Sequence, residues 1–536
     1  MPFRRQSLVD ALLMYALIYA GLVAIHASLL RLPYFWDEAG YYVPAARDIL
    51  LTGSLIPTST LSNAHPPLLL AYLAGMWKVF GYSPLVTRLS MLLVSTFGLL
   101  GVFRLARRVL NTEVAVGSVI ALALYPVYFA QSSLAQMDLG AAAFVIWGLD
   151  FYFANRRVAS IVFFSAAALT KETAILLPCV LFAWELLLRL PRLRALDNRQ
   201  STIANSFALL FPVLPLAAWF AYHYSRTGRV FGNPQFYAYN VAGTLSFVRF
   251  LAAFALRIWH LFGYMNMALL TAAVLLAMTL PPLAAKPAIE SRKSKIRNDV
   301  RPRIAIPTQL IFYLLILAHL VAFALVGGAA LARYLLPVYP LVIILGVSTL
   351  RRRLPWWPAF LAVICAGFVI ALITEPPYRF APEDNLAYSD YVRLHESAER
   401  LIATRFPGQT VLTAWPASDE LTRPWLGYVS QPVRILRIED FSFEQLQSAA
   451  QVRGQFQLAF VFSTKEEPRL LLNFRWWERL QERYFGYHRD LSPEAAAQVL
   501  GGRLVYQQHR GSQWVGVIAL DVIENASARP SASRLR

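Results

Sequence analysis

Two cysteines in 536 residues, Cys179 and Cys365, both inside apolar runs, provide neither a metal-ligand spacing nor a disulfide framework. Charge is scarce as well. Only 15% of the residues are charged, where a soluble domain carries about 25%. The shortage falls on one sign, with 31 Asp and Glu against 50 Lys and Arg and a formal net charge of +19. In a soluble protein that balance would suggest a nucleic-acid partner. The chain has no lysine-rich tail and no aromatic RNA-binding motif, and its basic residues sit in short loops between apolar runs, so nucleic acid is set aside. Long apolar runs are missing beyond about Ile373. The last 160 or so residues have the composition of ordinary soluble protein.

What the first 375 residues do contain is apolar runs of spanning length, and 57% of the whole chain is hydrophobic. A span takes about 20 residues. Candidate spans are 8–30, 85–103, 114–131, 137–154, 158–170, 173–189, 203–223, 264–285, 307–328, 333–350 and 355–374, about eleven in all. The first follows Arg4 and Arg5 and exceeds a signal-peptide core, so it reads as retained. With the N-terminus in the cytoplasm, every dense basic cluster falls on the cytoplasmic side. These are Arg104–Arg108, Arg156–Arg157, the loop with Arg189, Arg192, Arg194 and Arg199, the run Lys286–Arg303, and Arg351–Arg353. For this to hold, 65–80 and 246–262 must be helices lying in the outer interface. The C-terminal part is then extracytoplasmic. An Arg-heavy, Ala-rich composition suits a bacterial inner membrane. The expected fold is a polytopic α-helical membrane protein with a soluble α/β domain. Its divisions are a transmembrane domain over 1–375, an α/β domain over 376–523 and a disordered tail over 524–536 rich in Ser, Ala, Pro and Arg.

That topology sorts the ionisable residues. Asp37 and Glu38 in the sequence WDEAGYY, followed by Tyr41, lie in the first outer loop. His65 opens an interfacial helix, Asp138 opens the fourth span, Lys171 and Glu172 sit at an outer junction, and Arg333 heads the tenth span. Each has a plainer reading. Asp37 and Glu38 could be a solvated loop pair, Asp138 a helix cap, and Lys171 and Glu172 a local pair or a snorkelling one. Arg333 could touch lipid phosphate, and His65 could be a packed interfacial histidine. Together they favour a site, because ionisable groups beside apolar spans are costly and mark pathways or active centres. A carboxylate can take an acceptor's proton, and a fixed cation can neutralise a departing phosphate.

The motifs resemble those of the GT-C superfamily of membrane glycosyltransferases, especially the branch of protein O-mannosyltransferases and lipid A aminoarabinose transferases. WDEAGYY matches the acidic first outer loop, HPPLLLAYL at 65–73 the proline pair, and TRLSMLL at 87–93 with Arg104–Arg108 the span that ends in a basic cluster. MDLGAAAF at 137–144, LTKETAILLP at 169–178 and RYLLPVYPL at 333–341 follow in order, so the resemblance covers about residues 8–375. It implies Asp37 as catalytic base or acceptor-orienting carboxylate, with Glu38 assisting. Asp138 would be a polar anchor for the acceptor or for an optional divalent metal, with no cofactor required. Lys171 and Arg333 would hold the donor phosphate. The donor would be a polyprenyl-phosphate sugar and transfer would invert the anomeric centre, with protein, glycolipid or cell-envelope glycan as acceptor. One departure stands out: where the aminoarabinose branch has a lysine before the proline pair, this chain has His65, a weaker phosphate partner when neutral.

After Glu375-Pro376-Pro377 the pattern alternates. Helices are expected over 387–405, 443–452 and about 467–484, and strands at 411–415, 433–438, 457–463, GRLVYQQ and QWVGVIALD. No phosphate loop, metal spacing or nucleophile motif marks this part. It could bind acceptor, cover a site or add stability. Two rival functions use the same features: a flippase of lipid-linked sugar and a non-enzymatic scaffold. A transporter would be expected to show paired halves or broken midplane helices, and the scaffold leaves the outer carboxylates without a role.

Overall fold

The computed structural model describes residues 5–189, 206–234, 237, 240, 244–284, 300–465 and 474–520. Several expected features lie outside them: Arg192, Arg194 and Arg199, the 286–299 part of the basic run Lys286–Arg303, the start of the 467–484 helix and the 524–536 tail. The chain forms two compact units. One comprises Met1–Leu30 and Ala45–Thr374, the other Arg31–Pro44 and Glu375–Arg536. A boundary near 375 is where the composition changes. The inclusion of Arg31–Pro44 in the second unit differs from a transmembrane domain drawn as one piece over 1–375.

The first unit is helical. Among the described residues, three helices are long and apolar enough to cross a membrane by length and composition: Pro84–Val109, the kinked Phe247–Met278 and Ile306–Leu325. Shorter apolar helices accompany them, including Thr112–Leu124, Arg157–Thr170 and Trp357–Ile373. Apolar runs became helices wherever the residues are described, but with breaks that hydropathy alone does not reveal. The run at 114–131 is split into Thr112–Leu124 and Pro126–Gln131, because a proline cannot continue a helical ladder. The stretch 246–285 breaks between Phe262 and Met267, where Met265 and Asn266 take left-handed φ of 48° and 62°. Leu68–Phe80 has 13 residues, about 20 Å at 1.5 Å per residue, which is too short for a 30 Å hydrocarbon core.

Polar anchors pin the far ends of these helices. Asp150, fully buried, accepts from Arg108 Nε at 2.7 Å and Arg104 Nε at 3.1 Å, tying Met137–Phe153 to Pro84–Val109. Ser83 caps the latter helix by accepting from Val86 N–H, with Pro84 at its first position.

The second unit is α/β. Its five-stranded sheet has the order β2-β1-β3-β5-β4, with β1 Thr410–Ala414, β2 Arg434–Ile438, β3 Leu458–Phe462, β4 Gly502–Arg510 and β5 Gln513–Leu520. β1 runs parallel to β2 and β3, and the β4–β5 hairpin is antiparallel. β3, LAFVF, is buried at every position, as a central strand covered on both faces must be. Helices Ala387–Arg405, Phe443–Ala450 and Arg475–Phe485 are present, together with two short ones, Ala417–Thr422 and Pro493–Leu500.

Candidate functional site

The residues singled out by sequence fall into two groups, one in each unit. In the first unit, three of them meet. Asp138 lies in the first turn of helix Met137–Phe153, where a carboxylate also faces the positive end of the helix dipole. It does not cap the helix, because the capping position is Gln136 and no side-chain cap forms. Instead Lys171 Nζ donates to Asp138 Oδ1 at 2.5 Å, and Arg333 Nε stands 3.5 Å from Asp138 Oδ2. Arg333 Nη1 also donates to Gln136 Oε1. All three charged groups are buried, with exposures of 3% for Asp138, 7% for Lys171 and 2% for Arg333.

Backbone discontinuities put them there. Lys171 is the extended residue (φ −147°, ψ 126°) between helix Arg157–Thr170 and the 3₁₀ turn Glu172–Ile175. Arg333 sits in the 3₁₀ turn Ala332–Leu335, just before helix Tyr339–Arg353 with Pro340 in its first turn. Broken backbone among apolar helices is tolerated where it lines a cavity or is buried in protein. Here each break delivers an ionisable side chain to one place.

Tyr334 is the hub. Lys171 Nζ lies 4.4 Å from its ring centroid, Arg257 Cζ 5.5 Å and Arg333 Cζ 5.7 Å. Arg257, fully buried, donates through Nη1 to Leu331 O at 2.6 Å, and His319 Nε2 lies 2.8 Å from Tyr334 O. Around one ring lie three cations, two of them on the Asp138 carboxylate. The second carboxylate nearby, Glu172, is engaged by His65, whose Nδ1 lies 2.9 Å from Glu172 Oε2. Set against Asp138 and Glu172, the three cations leave these five side chains with one net positive charge. A buried excess of cation is expensive unless an anion completes it. The arrangement is therefore suited to an anionic group such as a phosphate. The local pairing of Lys171 with Glu172 does not occur: each finds a partner on a different element.

In the second unit, Asp37 and Glu38 begin a single π-helical turn, Glu38–Tyr42. Glu38 is fully buried and its Oε2 accepts from Phe35 N–H at 2.9 Å, whereas Asp37 is partly exposed. The two neighbours thus have different tasks: one carboxylate orders its own turn and the other is accessible. The loop is packed against the C-terminal part of the same unit. Trp36 meets Trp415 at 5.4 Å and Tyr391 at 5.5 Å between ring centroids, Tyr41 meets Trp415 at 5.4 Å, and Tyr428 Oη donates to Tyr34 O at 2.9 Å. Gly40 lies directly beneath the Trp415 indole, where a Cβ would overlap the ring. Burial, and after it the charge of Asp37, pushes the Tyr41 phenol pKa up, so Tyr41 stays a neutral donor.

Arg257, Tyr334, Gln136 and His319 were not singled out by the sequence reading. An arginine inside the apolar run FVRFLAAFALRIWHLF is the signal that could have found Arg257.

The sequence model of the family dolichyl-phosphate-mannose-protein mannosyltransferase matches residues 64–219, the stretch holding His65, Asp138, Lys171 and Glu172. No significant match was found among curated proteins. Among solved structures, ArnT from Cupriavidus metallidurans in the apo state is similar with a TM-score of 0.52 at 16% identity, covering 93% of this chain and 97% of that one. The same protein bound to undecaprenyl phosphate gives 0.53 at 15% identity, with 94% and 97% covered. The likeness is one of fold. It shows an ArnT-like helical fold followed by a small sheet, and the family model spans four of the six motifs behind the mannosyltransferase-like resemblance.

Proposed function

We propose that the chain is an inverting glycosyltransferase of the membrane, moving a sugar from a polyprenyl-phosphate donor to an acceptor at the outer face. The observation that carries this reading is the buried group of Lys171, Arg333 and Arg257 around Tyr334, with Asp138 between Lys171 and Arg333. A sugar phosphodiester arrives with about one negative charge and departs as a phosphate monoester with up to two at neutral pH. Fixed cations in a dry site favour the second state over the first, which lowers the barrier and not only the binding energy. The fold shared with a protein crystallised with undecaprenyl phosphate supports the same donor class.

In this reading Asp37 takes the proton of the acceptor's nucleophilic group. That group attacks the anomeric carbon opposite the phosphate, the bond from that carbon to the phosphate oxygen breaks, and the polyprenyl phosphate leaves on Lys171 and Arg333. Glu38 orders the turn that presents Asp37, and Asp138 holds the two cations in place. Tyr41 offers a neutral hydroxyl to the acceptor, and the His65–Glu172 pair borders the donor. The sugar is a hexose or pentose, and the acceptor is a protein, a glycolipid or an envelope glycan. About eleven spans with a cytoplasmic N-terminus and an extracytoplasmic C-terminal domain fit the positive-inside pattern. The organisation 1–375, 376–523 and 524–536 belongs to the same proposal, as does a bacterial inner-membrane location. A divalent metal at these outer carboxylates is optional to the chemistry.

The test uses purified protein in detergent, a panel of radiolabelled polyprenyl-phosphate sugars, and membrane extract as acceptor. Label transferred by wild type and not by folded Asp37→Asn supports the transferase. No transfer from any donor, with sugar-lipid crossing reconstituted liposomes, would replace it by the flippase.

A further inference from the structure

Behind the acidic loop the second unit buries three ligating side chains that the proposed transfer does not use. His395 and Glu399 lie one turn apart on helix Ala387–Arg405 and so share a face; Glu420 comes from helix Ala417–Thr422. Their side-chain exposures are 1%, 0% and 0%. His395 Nδ1 stands 2.7 Å from Glu420 Oε2 and 3.7 Å from Glu399 Oε1, and one ligand atom from each residue lies within 4.8 Å of the others. Both oxygens of Glu399, Oε1 of Glu420 and Nε2 of His395 have no hydrogen-bond partner. Two more buried hydroxyls without partners, Tyr391 Oη and Ser418 Oγ, are on the same two helices.

We propose that His395, Glu399 and Glu420 bind a divalent transition-metal ion of the zinc class, which ties helix Ala387–Arg405 to helix Ala417–Thr422 and thereby fixes the acidic loop. Two carboxylates facing one another in a sealed interior repel and are each costly to bury. With a neutral imidazole they carry two negative charges, which one divalent ion cancels. An imidazole nitrogen with two carboxylate oxygens suits zinc and its neighbours, whereas magnesium and calcium want oxygen alone and six or more ligands. Tetrahedral ligands at about 2.0–2.1 Å from the ion stand roughly 3.3 Å apart. The separations of 2.7 and 3.7 Å straddle that value, so small side-chain rotations complete the site.

The consequence lies within this unit. The His395 ring stacks on Tyr391 at 3.9 Å, and Tyr391 meets Phe35 at 5.2 Å and Trp36 at 5.5 Å. Trp415, just ahead of the helix that carries Glu420, packs on Trp36 and Tyr41. An ion joining the two helices therefore fixes both aromatic walls that hold Asp37. A rival arrangement uses the same residues without metal. Burial, and then the charge of Glu420, hold the Glu399 carboxyl pKa well above the usual range, so that the two carboxyls share a proton.

The experiment takes the full chain in detergent, stripped with chelator, and titrates it with Zn²⁺ and with Co²⁺. It reads metal per chain by mass spectrometry, the visible Co²⁺ spectrum, and the melting temperature. About one ion per chain, a tetrahedral-type Co²⁺ absorption and a melting temperature raised by Zn²⁺ are expected for wild type. Glu399→Gln and Glu420→Gln should bind at least about 10²-fold more weakly, beyond what outer-shell changes cost, and their melting temperature should not respond to Zn²⁺. Wild type holding less than about a tenth of an ion after equilibration overturns the proposal. So does a Glu399→Gln protein that binds like wild type, or one as stable as zinc-saturated wild type without metal, which is the shared-proton outcome. Should one variant fail to fold, the other decides, and Asp37→Asn, which should keep the ion, separates this site from the outer carboxylates. Metal content is read without any sugar donor or acceptor, so an absent ion and an absent transfer are separate results.

Discussion

Asp138→Asn isolates the electrostatics of the donor site. In wild type the carboxylate is 3% exposed, accepts from Lys171 at 2.5 Å and stands 3.5 Å from Arg333. Removing one partner of a buried pair costs about 3–5 kcal/mol, because the remaining charge is left uncompensated. Asparagine keeps an acceptor oxygen for the lysine, so the lower end, about 3 kcal/mol, is expected in the protein without donor. At about 2.1 cal/mol/K per residue, a unit of this size loses only a few degrees of melting temperature for that amount. Undecaprenyl phosphate should behave differently toward the two proteins. Its phosphate supplies the counter-charge that the variant lacks, so it stabilises Asp138→Asn more than wild type and narrows the gap between them. Lys171→Gln is the mirror image. It relieves part of the excess positive charge, costs less without ligand, and loses much of the stabilisation by undecaprenyl phosphate. Truncating a buried charge-pair partner costs about 2–5 kcal/mol of binding, or about 30-fold and upward. The assay is thermal unfolding in detergent across a series of undecaprenyl phosphate concentrations. If Asp138→Asn melts with wild type in the absence of ligand, or if the lipid phosphate leaves the gap unchanged, the cluster is not a charge-completed phosphate site.

Three further outcomes follow from the second unit. Asp37→Asn should lower transfer by about 10²–10⁴-fold with an unchanged melting temperature, while Glu38→Gln, which weakens the acceptor for Phe35 N–H, should cost about 1–3 kcal/mol of stability; equal effects of the two on both readouts would contradict the division of labour. Gly40→Ala forces a methyl into the Trp415 ring and should destabilise by about 1–3 kcal/mol while reducing transfer, seen as a lower melting temperature that Trp415→Ala in the same chain relieves. His488 has its pKa raised by Asp490, and Asp490 has its own held down by His488 and Thr464 despite burial. The histidine's contribution is present below about pH 6.5 and is lost as pH rises through its raised folded value; the aspartate's is present above about pH 3.9 and is lost as pH falls through its lowered one. Both act between those limits, and a melting-temperature profile against pH should lose its alkaline fall in His488→Gln.

The ionisable residues of the first unit were legible because an apolar sequence has few of them, and each carries weight. Their pairings were not. Lys171 and Glu172 are neighbours in sequence, yet they bond to Asp138 and His65, because the extended backbone at Lys171 turns the two side chains toward different elements. Arg257 escaped notice because it lies in a stretch read as an interfacial helix, where an arginine is expected to reach outward to water; in the structure it is fully buried and donates to Phe323 O and Leu331 O. In the second unit the strands followed from alternating and continuous apolar runs. The helix Ala417–Thr422, of 6 residues, is too short to leave a periodic signal, and Pro493–Leu500 is as short as Phe443–Ala450 but carries its only two large apolar residues, Val499 and Leu500, side by side. The company kept by Arg31–Pro44 could not be read at all, since Tyr34 finds its hydrogen-bond partner 394 residues away.

That distant partnership gives the C-terminal domain a task that its own sequence, without phosphate loop or nucleophile motif, does not announce. Trp36 holds a φ of 45°, a left-handed backbone that costs a bulky residue free energy and persists only where surrounding contacts impose it. The contacts around it are aromatic: the Trp36 indole sits edge-on to Trp415 and Tyr391, and Gly40 supplies the bare surface on which the Trp415 ring rests. Asp37 is the next residue in the chain. Its direction is therefore set by side chains some 350 to 380 positions later, and not by the apolar segment from which it emerges. The segment Arg31–Pro44 would, by itself, sample many conformations and present its carboxylate in few of them. Packed into the second unit, it is held by these aromatic contacts. The small sheet and its helices act on the proposed chemistry by removing that freedom beforehand, which is the usual way a protein turns binding energy into a positioned base.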